Sequence, residues 1–417
     1  MSHSSFVRGF VQHCQICNSE NLDEFINLGF HPAVNDFFDT NFKKEIVETY
    51  PMPILICQEC DLIQLGIHVD PQKIFPKNYA YRSGTTKILV ENFKNLAKDV
   101  QEIITFKKDD LIVDIGSNDG TLLKNFRDLG LNVLGIEPTG VADLAISAGI
   151  NTENIPYSYE NALKIKEKYG QAKVITAANV FAHIENVNDI VKGIYELLTD
   201  DGVFISENHY LSDLLDTLQY DTFYHEHLRY YSLNSLSYLF KKNDMRIFDC
   251  KNIPTHGGSV RVFACKNNSH FNESKNYQEL ISKELTGKNL HQRAINFGIK
   301  TKESKIDILN LLTSLKRDKK SIVGISAPSR ASTLINYVGI DNTMIDYICE
   351  IKGSLKIGKN IPGTDIPVLI EDYLFKDQPD YAFLFSWHIA DELIPKLKQN
   401  GYSGKFIIPL PVVKIIG

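Results

Sequence analysis

Short apolar runs of strand length recur between stretches of helical pattern along most of this chain, and that alternation restricts its fold more than any other feature. LIVDIG (111–116), NVLGIE (132–137), KVITAANV (173–180) and GVFISEN (202–208) are separated by helix candidates at 119–129, 141–148, 159–169 and 187–199. Strands separated by helices at this spacing read as βαβ units around a parallel sheet. RIFDC (246–250) and GGSVRVFACK (257–266) lie close together, as in an antiparallel pair added to a sheet edge. A long polar, helix-favouring stretch over about 275–317 then reads as a connection. Beyond it the alternation resumes in SIVGIS (321–326), TMIDYICE (343–350), YAFLFSW (381–387) and KFIIPLP (405–411). The expected fold class is α/β, with a Rossmann-like core of mostly parallel sheet with an antiparallel edge, and a second, smaller Rossmann-like unit.

At 417 residues the chain exceeds one ordinary hydrophobic core. Changes in character divide it at about residues 75 and 267, giving parts 1–75, 76–267 and 268–417. A formal charge of −6 and a pI near 6.1 argue against a general nucleic-acid binder, which needs a basic surface. No apolar run reaches membrane-spanning length, and MSHSSFVRGF lacks the apolar segment of a signal peptide. The expected compartment is therefore the cytoplasm, with no membrane partner.

Seven cysteines make poor material for a disulfide framework, but four of them form two C-x-x-C pairs, Cys14/Cys17 and Cys57/Cys60. Each such turn presents two thiolates to one ion, and two turns close a four-sulfur tetrahedron suited to structural zinc. A closed site has no open position, so this metal builds fold. Redox-active or merely buried cysteines are the alternative.

In LIVDIGSNDGTLL, Asp114 closes a strand, Gly116 and Gly120 bracket a turn that includes Asn118, and Thr121 opens a helix. Glycines permit close backbone approach to a ligand at a helix start. Glu137, at the end of the next strand, can accept both ribose hydroxyls of a nucleoside. The loop lacks the G-x-G-x-x-G spacing that packs a pyrophosphate, so it suits a nucleoside with an amino-acid tail better than a dinucleotide.

DIGSNDG, NVFAHIENV (179–187) and FYHEHLRYYSL (223–233), in that order, resemble the S-adenosylmethionine-dependent sugar C-methyltransferases of deoxysugar biosynthesis. The cysteine pairs match that family's N-terminal zinc-binding domain. GISAPSRASTLINYVGI (324–340) and SLKIGKNIPGTDIPV (354–368) resemble its C-terminal domain, so the likeness covers essentially the whole chain. It implies a zinc-binding domain over 1–75, a methyltransferase domain binding S-adenosylmethionine over 76–267, and a C-terminal α/β domain over 268–417 that helps to bind a nucleotide sugar. The implied reaction methylates C3 of a nucleotide-linked 4-keto-6-deoxy sugar through an enolate. Such chemistry needs a base, a donor for the enolate oxygen and close positioning of two substrates, without catalytic metal or redox cofactor.

The family's Tyr-x-Glu-His pattern maps onto Tyr224, Glu226 and His227. It implies His227 as base, Tyr224 as donor to the sugar or enolate oxygen, and Glu226 as substrate contact or local charge. His225 is the next candidate base; in an extended stretch it would share a side with His227. Resemblance also puts Asn179 at the cofactor, His183 at the sugar as a second base or oxyanion donor, and Tyr79 and Tyr81 over the site. Each also fits ordinary packing. In the C-terminal part, Ser329 and Arg330 at a helix start suit a pyrophosphate, with Lys352, Lys356 and Lys359 as further contacts or simply a solvated basic loop. The family segment carries lysine where Arg330 stands, which alters that contact. Competing readings are an O- or N-methyltransferase, a non-catalytic zinc-nucleated nucleotide-binding protein and, third, a dehydrogenase. A monomer or small homo-oligomer is expected.

Overall fold

The computed structural model describes residues 9–41, 46–74, 82–85, 87–286 and 289–417. Near the N-terminus, β1 (Leu22–His31), β2 (Tyr50–Cys57) and β3 (Ile63–Leu65) form an antiparallel sheet. The helix α1 (Lys87–Ile103) leads into the central layer. There β4 (Leu111–Ile115), α2 (Thr121–Arg127), β5 (Asn132–Ile136), α3 (Ala142–Ser147), β6 (Thr152–Glu153), α4 (Tyr159–Tyr169), β7 (Ala172–Ala178), α5 (Val187–Leu197) and β8 (Leu198–His209) follow in turn. All five residues of β4 are buried, as expected of a strand covered by helices on both faces.

β9 (Arg229–Tyr230), β10 (Met245–Ile253) and β11 (Ser259–Lys266) follow. The central sheet has the order β10-β11-β8-β7-β4-β5-β6. β8 to β6 run parallel, and β11 is antiparallel to both β8 and β10, the edge expected from the sequence. β9 leaves this layer and pairs with β3, Arg229 opposite Gln64 and Tyr230 opposite Ile63. The chain just after Tyr224–Leu228 is thus an edge strand of the N-terminal sheet.

The polar stretch folds as α6 (Lys275–Thr286) and α7 (Leu290–Arg317). It is more than a connection: Phe297 of α7 packs edge-on against Phe25 of β1. A Cβ on Gly298 would stand 2.6 Å from the Phe25 carbonyl oxygen, so only glycine permits that approach. Next come β12 (Ile322–Ile325), α8 (Ser329–Val338), β13 (Ile348–Glu350), β14 (Val368–Ile370), β15 (Tyr381–Leu384), β16 (Lys405–Ile408) and β17 (Lys414–Ile416). Their sheet has the order β14-β13-β12-β15-β16-β17, parallel except for β17. The expected strand over 343–350 is shorter, because the Asp341 carboxylate accepts both the Thr343 N–H and hydroxyl and makes a turn there. One apolar core joins the N-terminal sheet, residues 211–230, α7, α8 and the C-terminal sheet.

Candidate active site

The two cysteine turns have the same local build. The Asn18 and Asp61 N–H groups donate to the carbonyls of Cys14 and Cys57, at 3.0 and 3.1 Å. Both residues have positive φ, 68° and 57°. The Ile16 and Glu59 N–H groups point at the Sγ atoms of Cys14 and Cys57. All four sulfurs lie within 4.8 Å of one another, with Cys14–Cys60 at 3.4 Å and Cys17–Cys57 at 3.5 Å. Tetrahedral zinc requires S···S separations of about 3.8 Å, so the set fits. Burial holds the Cys57 thiol up at about 12, while hydrogen bonding from Cys60 brings Cys14 down to about 5. A divalent cation is what lets all four ionise together.

This centre is braced against the candidate site. The guanidinium of Arg229, 1% exposed, donates to Gln15 Oε1 inside the first knuckle at 2.6 Å. It also donates to the carbonyls of Phe181, Ile184 and Glu185 and to the Tyr231 hydroxyl. The Leu228 N–H donates to the Ala182 carbonyl and the Leu228 carbonyl accepts from Leu65. The Tyr224–Leu228 segment is therefore tied to both the N-terminal sheet and the loop after β7.

After β4 the chain turns through Gly116, Asn118 and Gly120, at φ 70°, 51° and 77°. A Cβ on Gly116 would lie 2.6 Å from Val180 Cγ2, so the two loops touch only because residue 116 has none. Glu137 accepts the Asn118 and Thr139 N–H groups, one on each carboxylate oxygen, which fixes its plane at the end of β5. Ser83 and Gly84 donate to the side chains of Asn118 and Asp119. Asp114 is buried within the sheet, accepts the Thr176 hydroxyl at 2.6 Å, and is pushed up to about 7 by burial. Asn179, at φ 58°, donates its N–H to the Glu207 carbonyl. A rigid carboxylate beside a turn opening onto α2 fits a nucleoside with an amino-acid tail.

His227 lies at the centre of the second group. The Tyr224 hydroxyl is 3.0 Å from its Nε2, and the His183 and His209 rings stand 4.8 and 5.7 Å from its ring. Burial, followed by His183 and His209, holds His227 well below the usual imidazole range; burial brings His183 to about 4. Both are neutral near neutral pH. Glu226, pushed up to about 7 by burial, accepts from Asn35 Nδ2 at 2.6 Å, and Asn35 Oδ1 accepts the Ser329 hydroxyl at 3.2 Å. The Lys356 ammonium lies over the Phe37 ring and donates to the Ala327 carbonyl. All three parts of the chain thus meet at Glu226.

Three family models match successive segments: a zinc binding domain over 14–75, a methyltransferase domain over 89–248 and a C-methyltransferase C-terminal domain over 254–411. The C-methyltransferase NovU of Streptomyces niveus is 28% identical over 411 residues, covering 97% of each chain. The chain is an S-adenosylmethionine-dependent methyltransferase, similar along its length to C-methyltransferases. Among solved structures, an S-adenosylmethionine-dependent methyltransferase from Clostridium acetobutylicum is 16% identical, covers 44% of this chain and 94% of its own, and has a TM-score of 0.34. The CcbJ methyltransferase from Streptomyces caelestis is 12% identical over 42% and 89%, with a TM-score of 0.33.

In this methyltransferase, His183, Tyr224 and His227 form one cluster, and Glu226, Ser329 and Lys356 form a neighbouring one. His225 joins neither. Residues 224–227 form a turn closed by the His227 N–H on the Tyr224 carbonyl, so the expected shared side of His225 and His227 does not arise. The His225 Nε2–H instead donates to the Pro51 carbonyl, with the ring edge-on to Tyr50. Arg330 also departs from expectation. Its guanidinium is buried in a double contact with Asp221, at 2.7 and 2.8 Å, and stacks on Trp387, so its charge is already matched. Lys352 is exposed, and Lys359 is partly covered. Tyr79 and Tyr81 lie outside the described residues.

Asn35, Asp221, His209, His256 and His388 are neighbours that the sequence reading missed. They come from all three parts, and only the glycines after His256 gave a local signal. Among the described residues, no helix is long and apolar enough to cross a membrane.

Proposed function

We propose that this methyltransferase acts on a nucleotide-linked 4-keto-6-deoxy sugar and methylates C3, next to the ketone. The observation that carries the reading is neutral His227 held against Tyr224, beside His183 and next to the loop that meets Gly116. Gly116–Gly120 would hold S-adenosylmethionine, with Glu137 at its ribose and Asn179 nearby, and the cofactor would supply an electrophilic methyl group.

His227 takes the C3 proton, and the electron pair moves onto the C4 oxygen as an enolate. Tyr224 or His183 donates a hydrogen bond to that oxygen. The C3 carbanion character then forms the new carbon–carbon bond as the methyl–sulfur bond breaks and its electrons remain on sulfur. Burial depresses the basicity of His227, and the adjacent enolate stabilises the imidazolium as it forms. Glu226, its carboxyl pushed up to about 7 by burial, bonds a sugar hydroxyl. The diphosphate lies at the start of α8 near Ser329 and Lys356, the region where the zinc-binding part over 1–75, the methyltransferase part over 76–267 and the C-terminal part over 268–417 come together.

The test is turnover with a panel of nucleotide-linked 4-keto-6-deoxy sugars, with the product examined by proton NMR. A methyl bonded to ring carbon supports the reading; a methyl on oxygen or nitrogen refutes it.

A further inference from the structure

Next to His227 stands a second group of imidazoles that the proton-transfer step does not use. His209 ends β8, His256 lies in the short turn Thr255–Gly257 after β10, and His388 lies in the turn Trp387–Ile389 after β15. The His209 ring is 5.7 Å from His227 and 5.4 Å from His256, and the two turns pack on each other. We propose that His209, His256 and His388 form the subsite for the hydroxyl-bearing edge of the sugar ring, and so read which hydroxyl the substrate carries. This rests on the keto-sugar reading of the adjoining site.

Four observations support it. First, the three side chains lie deep between two parts of the chain, yet none is sealed by packing; each stays partly uncovered. Second, their hydrogen bonding is incomplete. The His209 ring makes ring contacts with His227 and His256 and no side-chain hydrogen bond among the described residues, and His256 Nε2 is buried without a partner. Buried imidazole nitrogens are normally satisfied, so open ones at a site invite a ligand. Third, His256 is held at φ 57°, ψ 18°, a left-handed conformation that only a few per cent of non-glycine residues adopt. A residue held in that conformation, with a buried open nitrogen and its ring against His209, points to use at the adjoining site.

Fourth, the wall carries hydrogen-bonding capacity without net charge. Arg330 is the nearest cation, and Asp221 pairs with it directly. The Arg330 Nη1–H donates to His388 Nδ1 at 3.1 Å. That nitrogen must therefore be unprotonated, which leaves the ring proton on Nε2 as a donor. Burial, helped by Arg330, also holds His256 at about 4 and His388 at about 3, so both stay neutral. A neutral imidazole offers one donor and one acceptor, the complement of a hydroxyl. A phosphate would seek cations, which this wall lacks.

The experiment is equilibrium binding of two nucleotide-linked keto sugars, one with and one without a ring hydroxyl, to full-length protein saturated with S-adenosylhomocysteine. Wild type, His209→Phe and His388→Phe are compared. Wild type is expected to prefer the hydroxylated ligand by roughly 100-fold, the upper end of what leaving one buried polar group unpaired costs. The variants should bring that preference to within about threefold while S-adenosylhomocysteine affinity stays within about twofold. Variants that keep the wild-type preference, or weaken both sugars equally, overturn the subsite. Binding with the predicted preference but without methyl transfer in wild type supports the subsite and counts against the reaction.

Discussion

Glu226→Gln should make the protein more stable at alkaline pH and change it by less than about 1 kcal/mol at pH 5. Glu226 is 3% exposed and pushed up to about 7 by burial, against an ordinary value of 4.5. A raised folded-state pKa means that the folded protein holds the proton more tightly than the unfolded chain does. The resulting stability is fully present below pH 4.5 and is lost as the pH rises to about 7. At 1.36 kcal/mol per pH unit over that interval, the loss is about 3 kcal/mol. Glutamine keeps the oxygen that accepts from Asn35 and carries no charge at any pH. Lys356, which faces both Glu226 and Glu350, loses one carboxylate and offsets part of the gain. Urea denaturation at pH 5, 7 and 8.5 would read this as a difference between variant and wild type that grows with pH and levels off above about 8. An offset that is the same at every pH, or a variant less stable than wild type at pH 8.5, would refute the buried, proton-holding carboxyl.

Zinc should be present at one ion per chain by elemental analysis; Cys57→Ser should lose it and, with it, on the order of 10 kcal/mol of binding free energy that supports folding. Methyl transfer should fall as well, because the first knuckle bonds Arg229 through Gln15. Gly116→Ala should weaken S-adenosylhomocysteine binding by roughly 10-fold or more in calorimetry, since the methyl meets Val180 at 2.6 Å and φ is 70°. Arg330→Met should destabilise by about 3–5 kcal/mol by leaving Asp221 buried without its cation, and Arg330→Met/Asp221→Leu should recover much of that loss in the same denaturation assay.

The regular layers were legible because their signals are local. β4 and β5 fall inside their apolar runs, β7 overlaps 173–180, β8 encloses 202–208, and α4 spans the expected 159–169. The two knuckles were legible for the same reason, since each pair of sulfurs lies within one short turn. Short elements held by distant partners were not. β9 is two residues long and is a strand only because β3 lies beside it, so nothing in RY announces its pairing with Gln64 and Ile63. At the site, alternation suggested a common side for His225 and His227, and a turn separates them. Arg330 shows how charge alone misleads: a basic residue at a helix start resembles a phosphate ligand until Asp221, 109 residues earlier, occupies it. His209, His256 and His388 come from separate elements, and only the folded chain brings them together.

The most direct test of the account is turnover in deuterated water with S-adenosylmethionine and nucleotide-linked 4-keto-6-deoxy sugars, comparing wild type with His227→Ala by product mass and proton NMR. The account predicts a new methyl on ring carbon in wild type, and neither methylation nor deuterium exchange at C3 in the variant. Methylation on oxygen or nitrogen, or a folded, zinc-loaded His227→Ala protein that still exchanges C3 and transfers the methyl group at the wild-type rate, would contradict it.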